Sequence, residues 1–180
     1  MVRLFIFLYF IITNTALGEK LLFENFTNKP EEKWEFITDQ VMGGISDGKV
    51  EFISEDNKNF ARMTGSIRLE NNGGFIQIRK KLDFRIKKES KAIKLTVRGN
   101  NQEYYIHIRT SGTILPWQYY QAPFTVSSKW EILDLNFSDF KRSGVMLSKT
   151  INPKNIKSIA IVAYGREHNS FIDVEKIIIY

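Results

Sequence analysis

The stretch from Ile37 to Ser46, ITDQVMGGIS, places an acidic residue, a methionine and two adjacent glycines where an apolar strand pattern is expected to begin. Tandem glycines permit positive φ angles and let another segment approach the backbone closely. An aspartate in such a turn accepts hydrogen bonds from nearby N–H groups, and a methionine fills gaps at the edge of a core. We interpret the stretch as a structural corner; the alternative is that Asp39 helps to bind a metal or a ligand hydroxyl.

Around this corner, apolar and polar residues alternate along most of the chain, with Asn, Gly, Asp and Ser between the alternating segments. A period of two with this punctuation is typical of antiparallel β structure. Two short stretches, 136–141 and 152–158, could each form one helical turn. We predict an all-β fold, a single jelly-roll β-sandwich of eight to ten strands. The clearest strand signals are ARMTGSIRL (61–69), AIKLTVR (92–98), YYIHIRT (104–110), EILDLNF (131–137), IKSIAIVAY (156–164) and FIDVEKIIIY (171–180).

Three polar segments predict turns between these strands. SDGK (46–49) has the Asp-Gly pair of a hairpin turn, and NNGG (71–74) supplies residues that tolerate positive φ. The asparagines of NNGG could also bind sugar hydroxyls. SEDNKN (54–59) is interpreted as a solvated hairpin tip, with a calcium site on its carboxylates as the weaker alternative.

Three longer motifs occur in order: WEFITDQVMGGISDGKVEF (34–52), FARMTGSIRLENNGGFIQIR (60–79), and YYIHIRT (104–110) followed by YYQAPFTVSSKWEILDLNFSDF (119–140). Together they resemble the complex I intermediate-associated protein 30 family, and the resemblance extends over residues 21–180. It implies a galactose-binding-domain-like jelly roll, related to family 11 carbohydrate-binding modules, and a non-catalytic assembly or chaperone role. The family-motif residues, for which a structural role is expected, are Asp39, Met42, Gly43, Gly44, Ser46, Gly73, Gly74 and Phe75.

Residues 1–18 have the pattern of a secretory signal peptide: an early arginine, an apolar run from Leu4 to Ile12, and small residues at 16 and 18. The apolar run is shorter than the roughly 20 residues of a spanning helix. We therefore predict an exported chain, periplasmic or extracellular rather than mitochondrial. The β-sandwich domain would span 19–180, without a membrane span. The partner would then be an envelope or secreted protein rather than complex I.

One polar strand face gives the most suggestive site. Alternation places Tyr105, His107 and Arg109 on one side of a strand, expected beside Gln77 and Arg79 of another strand. Aromatic rings with interspersed hydrogen-bonding groups suit a sugar, and they suit a protein interface equally well. Alternatively, half of the aromatic residues belong to the core and Arg109 only forms a salt bridge. The candidate binding residues are Tyr105, His107, Arg109, Trp117, Tyr120 and Gln121.

Composition narrows the function further. The chain has no cysteine, which excludes disulfides and thiolate metal sites. Its net charge of +6 is scattered, so we expect no nucleic-acid partner. The two histidines lack metal-ligand spacing, and no phosphate loop or nucleophile elbow is present. We expect a non-catalytic monomer without cofactor or metal that binds and assists an unidentified protein partner. The alternative is a carbohydrate-binding module that recognises a glycan through the Tyr105–Gln121 face.

Overall fold

The computed structural model describes residues 21–180, so the predicted signal peptide lies outside the described residues. Within this range the chain forms twelve strands and five short 3-10 turns. No helix between residues 21 and 180 is long and apolar enough to cross a membrane. The strands are β1 Leu21–Glu24, β2 Trp34–Thr38, β3 Asp47–Glu55, β4 Lys58–Ile67, β5 Phe75–Lys81, β6 Ala92–Gly99, β7 Glu103–Thr110, β8 Tyr120–Thr125, β9 Glu131–Asn136, β10 Lys141–Arg142, β11 Ile156–Tyr164 and β12 His168–Ile179.

The strands form two antiparallel sheets of six. The first sheet has the order β3-β4-β12-β6-β9, and β1 pairs with the C-terminal part of β12 beyond β4. The second sheet has the order β10-β8-β7-β11-β5-β2. Sequential strands are often not neighbours, as a jelly roll requires. The prediction of an all-β sandwich is confirmed, and the strand number exceeds the predicted range by two.

The core lies between the sheets and follows the predicted alternation. On β7, Tyr104, Ile106 and Ile108 are fully buried, whereas Tyr105 and His107 point to the opposite face. Each aliphatic side chain buried in this way contributes about 1.5–3 kcal/mol. The inner faces of both sheets therefore stabilise the sandwich.

Two of the predicted turns are confirmed and one is wrong. Asp56 and Asn57 form the two-residue tip of the β3–β4 hairpin with φ of 50° and 61°. In NNGG, both asparagines and Gly74 have positive φ. SDGK is not a hairpin turn, because Asp47 and Gly48 already belong to β3. A Cβ on Gly48 would lie 2.3 Å from a backbone oxygen of β4, so glycine serves a close strand approach here. The one-turn helices occur at Phe137–Asp139 and Pro153–Asn155, within the predicted stretches.

The corner at residues 37–46 is organised by the fully buried carboxylate of Asp39. Its Oδ1 accepts a hydrogen bond from the Ser46 N–H at 2.9 Å. Its Oδ2 accepts bonds from the Ser46 hydroxyl at 2.5 Å, the Gly74 N–H at 2.5 Å and the Phe75 N–H at 3.3 Å. Burial raises the pKa of Asp39, but these hydrogen bonds outweigh burial and leave the pKa below its ordinary value. The carboxylate thus ties two distant motifs together and is not accessible to a ligand.

The adjacent glycines make room for this carboxylate. A Cβ on Gly44 would lie 2.3 Å from Asp39 Cγ, and a Cβ on Gly73 would lie 2.4 Å from Asp39 Oδ2. Gly43 and Gly74 have φ of 91° and 123°, which other residues rarely adopt. Both glycine pairs therefore combine one position of positive φ with one position of close approach to Asp39.

Candidate binding face

The outer face of the second sheet presents the predicted polar strand face, although its neighbours differ from the prediction. β11 lies between β7 and β5, so Gln77 and Arg79 are not directly beside Tyr105 and His107. One row across the sheet runs through Gln121, His107, Ala160, Arg79 and Glu35. The small Ala160 in the centre is buried between the larger side chains of β7 and β5. In this row, the side chain on the middle strand is therefore small, and the side chains on the two flanking strands project further from the sheet.

Four rings pack together on this face, and we call Tyr105, His107, Tyr119 and Tyr164 the aromatic platform. Tyr119 stacks on His107 with ring centroids 4.1 Å apart and an interplanar angle of 9°. Tyr164 lies edge-on to both Tyr105 and His107, at 5.8 and 5.7 Å. All four side chains are half-buried. No second ring or cation stacks on Tyr119 among residues 21–180, and the ring is half-buried.

The platform is electrically neutral at ordinary pH. Burial lowers the pKa of His107 to about 4, and the nearby Gln121 side chain opposes this shift only in part. Burial and the neighbouring Tyr164 hydroxyl raise the pKa of Tyr119. The Tyr105 hydroxyl donates to Glu103 Oε1 at 2.7 Å, and this bond raises the pKa of Tyr105. The rings therefore act as uncharged stacking and hydrogen-bonding groups.

Polar atoms without partners lie within or beside the platform. His107 Nε2, Gln121 Oε1 and Arg79 Nε are buried and lack a hydrogen bond among the described residues. Buried polar atoms are normally satisfied, because each one left unpaired costs about 1–3 kcal/mol. His107 and Gln121 nevertheless interact, since the Gln121 side chain raises the pKa of His107, so the unused hydrogen-bonding capacity of this row is limited.

Arg109 anchors the loop that borders the platform. Its Nη2 donates to the Leu115 carbonyl at 2.9 Å and to the Thr113 carbonyl at 3.5 Å. The Gln118 side chain is buried and accepts from two N–H groups of the same loop. The loop is therefore held from both ends, and it presents Trp117 with 67% of its surface exposed. The alternative of a salt-bridged Arg109 is wrong, because Arg109 has no carboxylate partner between residues 21 and 180.

The structure corrects two placements. Tyr120 was expected on the binding face, but it points into the core, is 3% exposed and donates its hydroxyl to the Ser148 carbonyl at 3.0 Å. Its neighbour Tyr119 occupies the outer face instead. Met42 was expected to fill a core edge but is 63% exposed. The 3-10 turn Asp39–Met42 directs its buried side towards Asp39 and leaves Met42 on the surface.

Tyr164 is the member of the platform that sequence reasoning missed. It ends IKSIAIVAY, where apolar residues occupy both faces of a central strand, so alternation gave no indication of which face is outer. The available signal was its position: Tyr164 lies two residues after Val162 and four after Ala160, so all three side chains point to the same face of the strand. The pairing of Tyr164 with Phe75 of β5 places both at one end of the outer face.

The outer face of the first sheet is filled by its own contacts. The buried carboxylate of Asp173 binds Arg62 at 2.7 Å and Arg98 at 2.8 Å. Rings and guanidinium groups alternate across this face in the order Trp130, Arg98, Phe60, Arg62 and Phe171, with cation–ring distances of 4.7 to 5.5 Å. These charges are already paired, so the second sheet offers the more available face.

A separate exposed apolar surface surrounds the corner, and we call Val41, Met42, Ile45 and Leu69 the corner patch. These side chains are 75%, 63%, 48% and 46% exposed. An open depression of about 570 Å³ along β2 and the start of β3 is lined in part by Val41. Exposed apolar side chains in such a group are typical of interaction surfaces.

Comparisons with known proteins agree with the fold. The family 11 carbohydrate-binding module of Clostridium thermocellum, in complex with a β-1,3-1,4-mixed-linked tetrasaccharide, superposes with a TM-score of 0.73 at 15% identity over 89% of this chain and 94% of that chain. The same module of the cellulosomal cellulase Lic26A-Cel5E from C. thermocellum gives a TM-score of 0.72 at 15% identity, with the same coverage of both chains. An exo-β-agarase matches with a TM-score of 0.56 at 10% identity, over 91% of this chain and 25% of the agarase chain. No match was found among curated proteins.

The model of one protein family covers most of the described residues. Residues 23–172 match the model of complex I intermediate-associated protein 30. The matched segment contains the Asp39 corner, the NNGG turn and all strands of the candidate face. The chain therefore belongs to the complex I intermediate-associated protein 30 family and has the jelly-roll fold seen in carbohydrate-binding modules.

Proposed function

We propose that this protein is a non-catalytic binding domain whose aromatic platform binds a glycan. The observation that carries the proposal is the stack of the half-buried Tyr119 ring on His107, beside buried polar atoms that lack hydrogen bonds of standard geometry. A sugar ring presents C–H groups on its faces and hydroxyl groups around its edge. The Tyr119 ring can stack on the C–H face of the sugar, and the polar side chains in the row of Gln121 can bind its hydroxyl groups.

The side chains of the aromatic platform would already be in position before a ligand binds. Tyr119 is already held by its stack on His107, so little side-chain freedom is lost on binding. Gln121 Oε1 and His107 Nε2 are buried in the free protein, so they would pair with a sugar hydroxyl after a shift of their side chains. A ligand that satisfies these atoms gains hydrogen bonds that the free protein lacks.

The structural neighbours support this proposal only through their fold. The Clostridium thermocellum module is in complex with a β-1,3-1,4-mixed-linked tetrasaccharide. At 15% identity that likeness does not transfer a ligand, so the proposal rests on the platform of this chain. The predicted export of the chain would place it where extracellular glycans occur.

A second candidate function is binding of a protein partner, as an assembly factor or chaperone. The family name points in this direction, and the corner patch is the specific observation that favours it. The exposed side chains of Val41, which lines an open depression, and of its neighbour Met42 suit an apolar segment of another protein. With the predicted export, such a partner would be an envelope or secreted protein.

The first experiment is retention of the purified protein on immobilised glycans, including mixed-linked β-glucan, xylan, agarose and pectin. We expect at least one glycan to retain the wild-type protein but not the Tyr119→Ala variant. Tyr119→Phe keeps the stacked ring and is the matched control, which should still bind. Absence of retention on every glycan would overturn the proposal.

The second candidate is tested separately by a pull-down from the envelope fraction. Val41→Ser with Met42→Ser should abolish capture of a protein partner and leave glycan retention unchanged. Both side chains are exposed, so the double variant should fold as the wild type does. Capture that survives this double variant would remove the corner patch from consideration.

A further inference from the structure

An open depression of about 590 Å³ adjoins the aromatic platform at the end where β7 leads into its loop. Four cationic side chains line it: Arg79, Lys81, Arg109 and Lys157. Hydroxyl groups of Ser111 and other small residues lie among them, and no carboxylate of the described chain is part of the lining. Such a surface attracts anions.

Most of this positive charge is not neutralised by neighbours. Arg79 binds the exposed Glu35 at 2.9 Å, which accounts for one cation. Arg109 donates only to loop carbonyls, and Lys81 and Lys157 form no ion pair between residues 21 and 180. Burial and the like charge of Arg79 lower the pKa of Arg109, as expected for two guanidinium groups that face the same space.

The depression continues the platform along the same face. Arg109 follows His107 by two residues on β7, a rise of about 7 Å along the strand. Ser158 pairs with both Arg109 and Lys81, so these two cations lie on opposite sides of the small central strand. If one sugar of a glycan stacks on Tyr119, the next sugar along the chain would therefore lie beside Arg109 and Lys81.

We infer that this depression binds the carboxylate or sulfate group of an acidic glycan, one unit away from the sugar that stacks on Tyr119. This inference rests on the proposed glycan function and specifies the class of glycan. Guanidinium groups bind carboxylate and sulfate in fork geometry, and the two lysines add charge without fixed geometry. Neutral glycans would use the platform alone.

The test compares glycans that share a backbone and differ in charge: polygalacturonate with its methyl-esterified form, and carrageenan with its desulfated form. We expect the acidic member of at least one pair to bind about tenfold or more tightly, and this preference to weaken steeply with added salt. Arg109→Gln should remove most of the preference. Because Arg109 also holds its loop, Lys81→Gln with Lys157→Gln provides a second variant at exposed, unpaired positions and should reduce the preference without a change in folding.

Lys49→Gln is the matched control, since Lys49 is an exposed cation paired with Glu51 on the first sheet. It should leave the preference unchanged. Equal or tighter binding of the neutral members would overturn the inference and leave the proposed glycan function intact. Absence of binding to every member of both pairs and to the panel above would overturn both.

Discussion

Replacement of Asp39 by asparagine should destabilise the protein severely, although the two side chains have nearly the same shape. Each oxygen of the Asp39 carboxylate accepts at least one backbone N–H, from Ser46 on one side and from Gly74 and Phe75 on the other. An asparagine must point its NH₂ group at one of these sides. A donor then faces a donor in a site with no access to water.

The magnitude follows from the number of donors that lose their acceptor. One or two buried N–H groups become unsatisfied, and each costs about 1–3 kcal/mol. We therefore expect the free energy of unfolding to fall by about 2–4 kcal/mol. The pKa of Asp39 is below its ordinary value in the folded protein, so its stabilisation is complete above about pH 4 and is lost as the pH falls through the folded-state pKa. The difference between variant and wild type should narrow in acid.

Urea unfolding monitored by tryptophan fluorescence measures this difference. Asp47→Asn is the matched control, because Asp47 is an exposed residue of the same motif without a side-chain partner among the described residues; it should change stability by less than about 0.5 kcal/mol. A loss below about 1 kcal/mol for Asp39→Asn, or an equal loss for both variants, would refute this account of the corner.

Three further predictions concern other parts of the fold. Gly44→Ala and Gly73→Ala should each cost about 1–3 kcal/mol in chemical unfolding, because their Cβ atoms meet Asp39; Gly144→Ala, in open space, should cost little. Asp173→Ala should lower stability by about 3–5 kcal/mol, since it leaves two arginines without their buried partner; a loss near zero would contradict this. His107 should titrate near pH 4 by NMR, against 6.5 in unfolded chains, so that stability declines by up to about 3 kcal/mol as the pH falls from 6.5 towards 4; a pKa above 6 would contradict its burial.

The fold was predictable because its signals are local. Alternation on β7 identified which side chains face the core, and asparagine and glycine identified turns with positive φ. The prediction of a hairpin turn at SDGK is wrong because the same glycine that permits a turn also permits the close approach of two strands. Here Gly48 lies against Gly65 of β4, a contact between residues far apart in sequence. Only the strand pairing distinguishes the two uses.

The candidate face was predictable only in part because it depends on strand register. Tyr119 and Tyr120 are adjacent, and a shift of one residue in the start of β8 exchanges core and surface. The sequence did not determine that start. The order of the strands could not be predicted from the sequence either. Because β11 lies between β7 and β5, the row from His107 to Arg79 passes through Ala160. The binding role of this face stays a prediction.

Calorimetric titration of the best-retained glycan into the wild type, Tyr119→Ala and Tyr119→Phe tests the central claim most directly. Loss of a central aromatic anchor costs about 2 kcal/mol or more, so Tyr119→Ala should weaken binding at least about tenfold. Tyr119→Phe should bind nearly as the wild type does. Tyr180→Ala, which removes a tyrosine from the end of the first sheet, should not change the affinity. Equal affinities for Tyr119→Ala and the wild type would contradict the claim that the aromatic platform is the binding site.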